Sequence, residues 1–397
     1  MDPVRNPYVP GAGTPPAELA GRDDLLKGAD TVLKRAALGR SIQSPILVGL
    51  RGVGKTVLLV KIRELAQAEK FRTASIEATE AKNLPELLVP DLRRILLSLS
   101  LSEKGREQAR KGLRVLKSFL GVFKLSYGDI ELGIEAEAGV ADTGQLSSDL
   151  TDLIIAVGEA AKAAGTAVAI LIDELQYLSE IEFSALITSI HKVNQYQLPV
   201  VLIGAGLPQI LALAGESKSY SERLFTYPTV GPLEVGDAIS AIVNPARDEG
   251  VSYTDEAIEE LMLVTERYPY FLQQWGHEAW NLSEQDIIDR NVIVSATAMA
   301  IKKLDESFFR HRFDRCNASE KRYMRALAEL GPGHHKSGSI AEQLGLRVTS
   351  VGPTRSKLIT KGMIYSHQHG DTAFTVPLFD SYMRRVMPDF KPKWTSL

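Results

Sequence analysis

The chain has 397 residues, 44% hydrophobic and 24% charged, with a formal net charge of −3. That is the composition of a globular protein with a real core, and its net charge gives no sign of nucleic acid, a membrane surface or an acidic partner. The length suits two or three domains at roughly 150 residues each.

The single cysteine, Cys316, excludes an internal disulfide and points to a reducing, cytoplasmic home. The opening Met1-Asp2-Pro3-Val4-Arg5 lacks a basic stretch followed by an apolar one, so no signal peptide is expected. No apolar run reaches the ~18 residues of a membrane span. The nearest, Leu198 to Ala214, is broken by Pro199, Pro208 and Gln209, so no membrane partner is expected.

Residues 1–18, rich in Pro and Gly, predict an extended arm, and Asp23 to Leu38 has helical periodicity. Pro45-Ile46-Leu47-Val48 is a short apolar strand that ends in a glycine-rich turn, and Thr56 to Ala68 reads as a helix. Phe71 to Ile76 predicts a second strand, with helices over Leu84 to Leu101 and Glu103 to Leu120. Phe123, Leu125 and Tyr127, then Gly128-Asp129, then Ile130, Leu132 and Ile134 predict a hairpin insertion near 121–138, read as a decoration on the rim. Leu146 to Ala164 is an amphipathic helix, and Ala167 to Ile172 and Val200 to Ile203 are apolar runs suited to strands covered on both faces. Thr226 to Val230 is the expected last strand. Alternating strands and helices give the fold class α/β, a parallel sheet with helices on both faces. From Glu234 to about Phe313 the pattern is helical, as for a lid, and 314–390 reads as a third unit.

The phosphate site is written in Gly49-Leu50-Arg51-Gly52-Val53-Gly54-Lys55-Thr56, which fits the P-loop pattern G-x-x-x-x-G-K-[ST] at every fixed position. Glycines permit the tight backbone, and successive N–H groups with the following helix N-terminus surround a phosphate. Lys55 brings charge to the β/γ-phosphates of ATP, and the Thr56 hydroxyl suits Mg²⁺. The expected nucleotide contacts are Gly49, Gly52, Val53, Gly54, Lys55, Thr56 and Val57. Val168-Ala169-Ile170-Leu171-Ile172-Asp173-Glu174 is an apolar strand that ends in two carboxylates. Asp173 is read as holding the Mg²⁺ shell through water, and Glu174 as polarising the attacking water, which argues for hydrolysis beyond binding.

These residues resemble the AAA+/STAND group of P-loop ATPases, in particular its archaeal-ATPase and origin-recognition-like branches, over about residues 5–390. Pro16-Ala17-Glu18-Leu19-Ala20-Gly21-Arg22 looks like the box that lies beside the adenine in that group, which implies adenine contacts from Gly21 and Arg22. The group keeps a polar sensor near the end of the strand after the Asp-Glu pair. Val201-Leu202-Ile203-Gly204-Ala205-Gly206 offers none, and Gln209 is the substitute considered. Arg223, in Ser219-Tyr220-Ser221-Glu222-Arg223, falls where the group carries an arginine finger that reaches a neighbouring subunit; an internal ion pair is the competing reading. Glu266-Arg267-Tyr268-Pro269-Tyr270-Phe271 resembles the lid motif whose proline packs on adenine, which implies Pro269 as a contact and Arg267 as a second sensor.

From Asp305 onward there are 15 Lys/Arg against 9 Asp/Glu, a balance of +6, while the preceding part carries −9. Helices over Ser319 to Leu330, Ser339 to Leu344 and Thr349 to Lys361, then strands at 362–366 and 372–376, resemble a winged-helix domain. Arg347, Ser350, Thr354, Arg355, Lys357 and Lys361 would face duplex DNA; the alternative is that this surface closes over the nucleotide. His334-His335 and His367-x-His369 lack the companions of a metal site and are read as loop histidines.

The sequence thus predicts a P-loop core with its arm (1–233), a helical lid (234–313) and a winged-helix domain (314–397). The expected function is a Mg²⁺-dependent ATPase that switches between ATP and ADP states, with duplex DNA, a second copy or another protein as partner. The alternative is a STAND-type signalling or defence switch that oligomerises with slow turnover. A P-loop kinase is a third reading, for which no acceptor motif is evident.

Overall fold

The computed structural model describes residues 1–11, 13–40, 43–124, 135–217, 221–366 and 370–391. The hairpin expected near 121–138 falls mainly on 125–134, and the His367-x-His369 pattern, Ser219 and Tyr220 likewise lie outside the described residues.

In chain order the first part runs α1 (Asp23–Ala37), β1 (Ser44–Val48), α2 (Lys55–Ala68), β2 (Arg72–Glu77), α3 (Leu84–Ser100), α4 (Arg106–Val122), α5 (Leu146–Ala163), β3 (Val168–Asp173), α6 (Glu180–Gln195), β4 (Val200–Gly206), α7 (Ile210–Ser217), α8 (Ser221–Leu224) and β5 (Phe225–Thr226). The strands form one parallel sheet in the order β2-β3-β4-β1-β5. Every residue of β1, β3 and β4 is buried, which explains their unbroken apolar runs: helices cover both faces. The last strand is shorter than expected. Only Phe225 and Thr226 pair in ladder with β1, and Thr229 adds a single bridge to Val48.

On one face of the sheet α3 to α6 pack through residues such as Leu92, Leu116, Leu153 and Ile187. On the other, α1 and α2 share one continuous core with the rest of the chain, from Leu33 and Leu58 to Trp275 and Tyr323. The helices that follow are α9 (Val235–Asp248), α10 (Asp255–Thr265), α11 (Pro269–Leu282) and α12 (Arg290–Lys303), with a short parallel pair, β6 (Ser252–Tyr253) and β7 (Ile287–Ile288). A π-helical turn at Leu304–Phe309 leads into α13 (Arg310–Asp314).

The final unit holds α14 (Ala318–Glu329), β8 (His335–Lys336), α15 (Ser337–Leu344), α16 (Val348–Thr360), β9 (Ile364–Tyr365), β10 (Asp371–Phe374) and α17 (Phe379–Val386). Its strands form an antiparallel sheet in the order β8-β10-β9. His334 bonds the Tyr365 hydroxyl and His335 the Gly331 carbonyl. No helix among the described residues is long and apolar enough to cross a membrane.

The arm is anchored by Tyr8, which is 1% exposed. Its hydroxyl donates to Ile242 O at 2.6 Å and accepts from Tyr253 at 3.0 Å. Its ring lies over Gly276 of α11, where an added Cβ would come within 2.9 Å. Tyr8→Ala should lower unfolding stability by about 3 kcal/mol, the cost of deleting a buried aromatic ring. Urea denaturation followed by tryptophan fluorescence checks this, and an unchanged midpoint would mean that the arm is not part of the core.

Candidate nucleotide and catalytic site

The loop between β1 and α2 takes the shape its glycines allow. Gly52 and Gly54 have φ of 84° and 93°, a region costly for any residue with a Cβ. α2 starts at Lys55 with no side-chain cap from Gly54, so its first N–H groups are available to an anion. Lys55 is 6% exposed, and its ammonium donates to Gly49 O at 2.9 Å and Leu50 O at 2.8 Å. Burial lowers its pKa to about 8, against the pull of Glu174 and Asp173.

The two distant motifs meet at Thr56, whose hydroxyl donates to Asp173 Oδ2 at 2.6 Å. These two side chains give a hard divalent cation the oxygen donors it prefers. Burial raises the Asp173 carboxyl above its usual range, and the Thr56 hydrogen bond works against that rise. The next residue, Glu174, sits in the left-handed region at φ 54°, ψ 39°. A non-glycine residue there is strained, and such strain persists where the surroundings hold it. Here the Glu174 N–H donates to Asp173 Oδ1 at 2.8 Å, and its carboxylate takes Arg51 Nη1 at 3.3 Å and the Gln176 amide.

Gln176 escaped the reading of the sequence. Its Nε2 bonds Glu174 and its Oε1 accepts from Leu207 N at 3.0 Å, so it joins the Asp-Glu turn to the end of β4. The strand end is Gly204-Ala205-Gly206 because the space is taken: an added Cβ at Gly204 would lie 2.3 Å from Leu175, and one at Gly206 would lie 3.1 Å from Gln176 Oε1. Gln176 thus places a polar group at the end of β4, where the strand itself carries none, though like Gln209 it is not in the wall of the cavity over the loop. Gln209, the substitute expected from the sequence, instead donates to Ile359 O at 3.4 Å and lies outside the cavity.

A cavity of about 270 Å³ opens over the loop, walled by the arm, by Gly52 to Val57, by Glu174, by the start of α11 and by Phe308 and Arg312. Pro269 is in that wall at the first position of α11. Arg22 is there too, and its guanidinium donates to Val53 O at 3.3 Å and Gly231 O at 2.6 Å. Gly21 and Gly49, also expected as contacts, are not in the wall. Gly21, at φ 67°, is pressed on Asp237, and a Cβ at Gly49 would meet Val230 O at 2.1 Å. Arg267 is also outside, in the tight turn before α11, where its N–H donates to Thr265 and its carbonyl accepts from Leu233 N. Arg223 is exposed on α8, and no ion pair holds it among the described residues.

The C-terminal unit touches the loop directly. Arg51 N donates to Thr375 O at 3.2 Å, and Arg51 Nη2 donates to the Tyr177 hydroxyl at 2.8 Å. An added Cβ at Gly362 would lie 3.0 Å from that same Nη2. Two of the four cations expected to face DNA are spent inside the unit. Arg355 donates to Thr372 Oγ1, Ser366 Oγ and Asp371 O, and Lys361 pairs with Glu320 at 2.7 Å. Both brace α16 against neighbouring elements, whereas Arg347, Ser350 and Lys357 are exposed.

The comparisons with known proteins agree with this geometry. Residues 18–203 match the family model of the AAA ATPase domain, and residues 306–383 match a domain of unknown function. No curated protein matches the chain. Among solved structures, the chain is similar to the Walker-type ATPase of Pyrococcus abyssi, at 16% identity and a TM-score of 0.54 over 92% of this chain and 96% of that one. Weaker likenesses are to Aeropyrum pernix ORC1, solved in complex with DNA (14% identity, TM-score 0.47, 93% and 94% covered), and to the RuvB Holliday junction branch migration motor of Thermotoga maritima (14%, 0.42, 90% and 94%). The Pyrococcus likeness supports the fold alone. With a five-stranded parallel sheet, a P-loop after β1 and the matched segment 18–203, the protein is a P-loop ATPase built around an AAA ATPase domain.

Proposed function

We propose that the protein is a magnesium-dependent ATPase that works as a nucleotide-driven switch, with the C-terminal unit as the part that responds. The observation that carries the switch is Arg51. This loop residue gives its backbone N–H to Thr375 and its guanidinium to Glu174 and Tyr177, so one residue joins the phosphate loop, the carboxylate turn and the C-terminal unit. On this reading the chain divides into a core with its arm (1–233), a lid (234–313) and a winged-helix unit (314–397). The packing of α14, α15 and α16 with the β8-β10-β9 sheet supports the last assignment.

Lys55 and the N–H groups at the start of α2 take the phosphates, and Pro269, Arg22 and the arm border the base. Thr56 and Asp173 would hold Mg²⁺, which when bound supplies positive charge at the phosphate oxygens. Glu174 orients a water. The water oxygen bonds to the γ-phosphorus as the bond to the β–γ bridging oxygen breaks, ADP leaves, and the water proton passes to the Glu174 carboxylate. The Arg51–Glu174 pair must loosen for that, which ties turnover to the position of the C-terminal unit.

The same contact also suits the slower reading, a signalling switch that holds nucleotide and rarely turns over. Exposed Arg347 and Lys357 leave room for weak duplex DNA contact, exposed Arg223 for a second copy acting as partner, and the buried free thiol of Cys316 suits a cytoplasmic setting. Hydrogen exchange on the full chain with Mg²⁺ and either ADP or a non-hydrolysable ATP analogue tests the switch. Protection over 362–366 and 370–376 should differ between the two nucleotides, and equal protection would sink the switch. Steady-state hydrolysis in the same samples, with and without duplex DNA and over a range of protein concentration, separates a turning-over enzyme from a held switch. Two phosphate contacts would give a log–log salt slope of roughly −1.8 for DNA, and no DNA binding at low salt would leave protein as the partner class.

A further inference from the structure

Arg312 is a cation of the nucleotide cavity that no sequence motif announces. It lies on α13, directly after the π-helical turn, at the joint between the lid helices and the C-terminal unit. Its guanidinium carbon sits 3.8 Å from the centroid of the Phe308 ring. Phe308 in turn stacks on Tyr270, with centroids 4.8 Å apart and planes at 23°. Tyr270 N donates to Gly52 O at 3.1 Å. Arg312 and the two rings therefore form one stack, which the Tyr270 backbone ties to the phosphate loop.

What the guanidinium lacks is an anion. It has five N–H donors, and the hydrogen bond it makes, Nη1 to Phe308 O at 2.6 Å, stays within its own helical turn. No carboxylate lies within ion-pair distance of it among the described residues. Burial first, and then the nearby Arg51 charge, lower its pKa to about 10, which still leaves it charged at neutral pH. Arg22, Arg51, Lys55 and Arg312 thus share the cavity wall with the Glu18 and Glu174 carboxylates, a local excess of positive charge. Even a half-buried charge without a counter-ion carries a desolvation cost.

We infer that Arg312 contacts the terminal phosphate of the bound nucleotide from within the same chain, so that ATP holds α13 and ADP does not. The inference rests on the reading of the P-loop as the nucleotide seat. It gives Arg312 the part that the sequence suggested for Arg267, which lies outside the cavity. Because α13 joins lid to C-terminal unit, the presence of one phosphate is felt at that joint without a neighbouring subunit.

The test uses the full chain, with Arg312→Met to keep the stem over Phe308 and Arg312→Lys to keep the charge. Fluorescence titrations with ADP and with a non-hydrolysable ATP analogue, both with Mg²⁺, give the ratio of the two affinities, and steady-state assays give turnover. In Arg312→Met the analogue affinity and the turnover should fall on the order of 10–100-fold, the usual worth of a charge-assisted hydrogen bond. ADP affinity should change little, and Arg312→Lys should recover part of the loss. Equal losses for both nucleotides, or no loss for either, would make Arg312 a packing residue and overturn the proposal. If Arg312→Met does not fold, Arg312→Gln carries the same expectation. Failure of the parent protein to bind ADP would strike the nucleotide-site reading itself, and this proposal with it.

Discussion

In Lys55→Ala, kcat/KM for ATP falls by on the order of 10²–10³, or about 2.7–4 kcal/mol, the range seen when one preorganised donor is removed from a developing negative charge. The expectation follows from where the ammonium is. It is buried among loop carbonyls, at the start of a helix whose first N–H groups are uncapped, and beside a cavity large enough for a small ligand. Its burial keeps solvent from the ammonium and lowers its pKa to about 8, so an opposing phosphate charge is weakly screened there. Equilibrium titration with fluorescent ADP and steady-state phosphate release check the two halves of the effect, with circular dichroism as the control for folding. A folded Lys55→Ala protein with parental affinity and turnover would end the assignment of the loop to phosphate.

Glu174→Gln should separate binding from hydrolysis. Turnover should fall by about 10²–10⁴, the usual contribution of a positioned base, while ATP still binds and stays intact on the protein. The amide keeps the shape of the carboxylate but cannot accept the proton of the attacking water. It also ends the ion pair with Arg51, so the same variant should show altered protection around Thr375. Quench-flow followed by separation of bound ATP from ADP is the measurement. Parental single-turnover rates would remove Glu174 from the catalytic step and leave it as the holder of Arg51.

The parts of this protein that could be read in one dimension were those with local signatures. The unbroken apolar runs of β3 and β4 announce strands covered on both faces, and the glycine spacing around Lys55 announces a loop that only glycines can make. The convergence of Thr56 on Asp173 follows because Asp173 ends β3 and Thr56 opens the helix that follows β1 in the same parallel sheet, with the glycine-lined end of β4 between the two strands. The parts that could not be read depend on contacts between distant segments. Gln176 looks like any polar residue in a turn until Gly206 is seen to have no side chain over it. Arg312 lies in an ordinary charged stretch, and only the stack through Phe308 and Tyr270 brings it to the cavity. The internal partners of Arg355 and Lys361 were hidden for the same reason. Helical spacing shows that they share a region of α16, but not that Asp371, Ser366 and Glu320 have already claimed them.

The cavity wall has a further consequence, for synthesis. Its pieces come from the arm near Val9, from the loop at Lys55, from Glu174, from α11 and, last, from Arg312. At about 5–20 residues per second, a ribosome needs on the order of 10–50 s to travel from Lys55 to Arg312. During that interval the sheet can form while the walls supplied by α11, Phe308 and Arg312 do not yet exist. A nascent chain at that stage has a phosphate loop without an enclosure, so ATP gives it little of the stabilisation that a ligand gives the finished fold. Tight nucleotide binding is therefore expected only after the chain as far as Arg312 has emerged and packed, because no later residue lines the cavity.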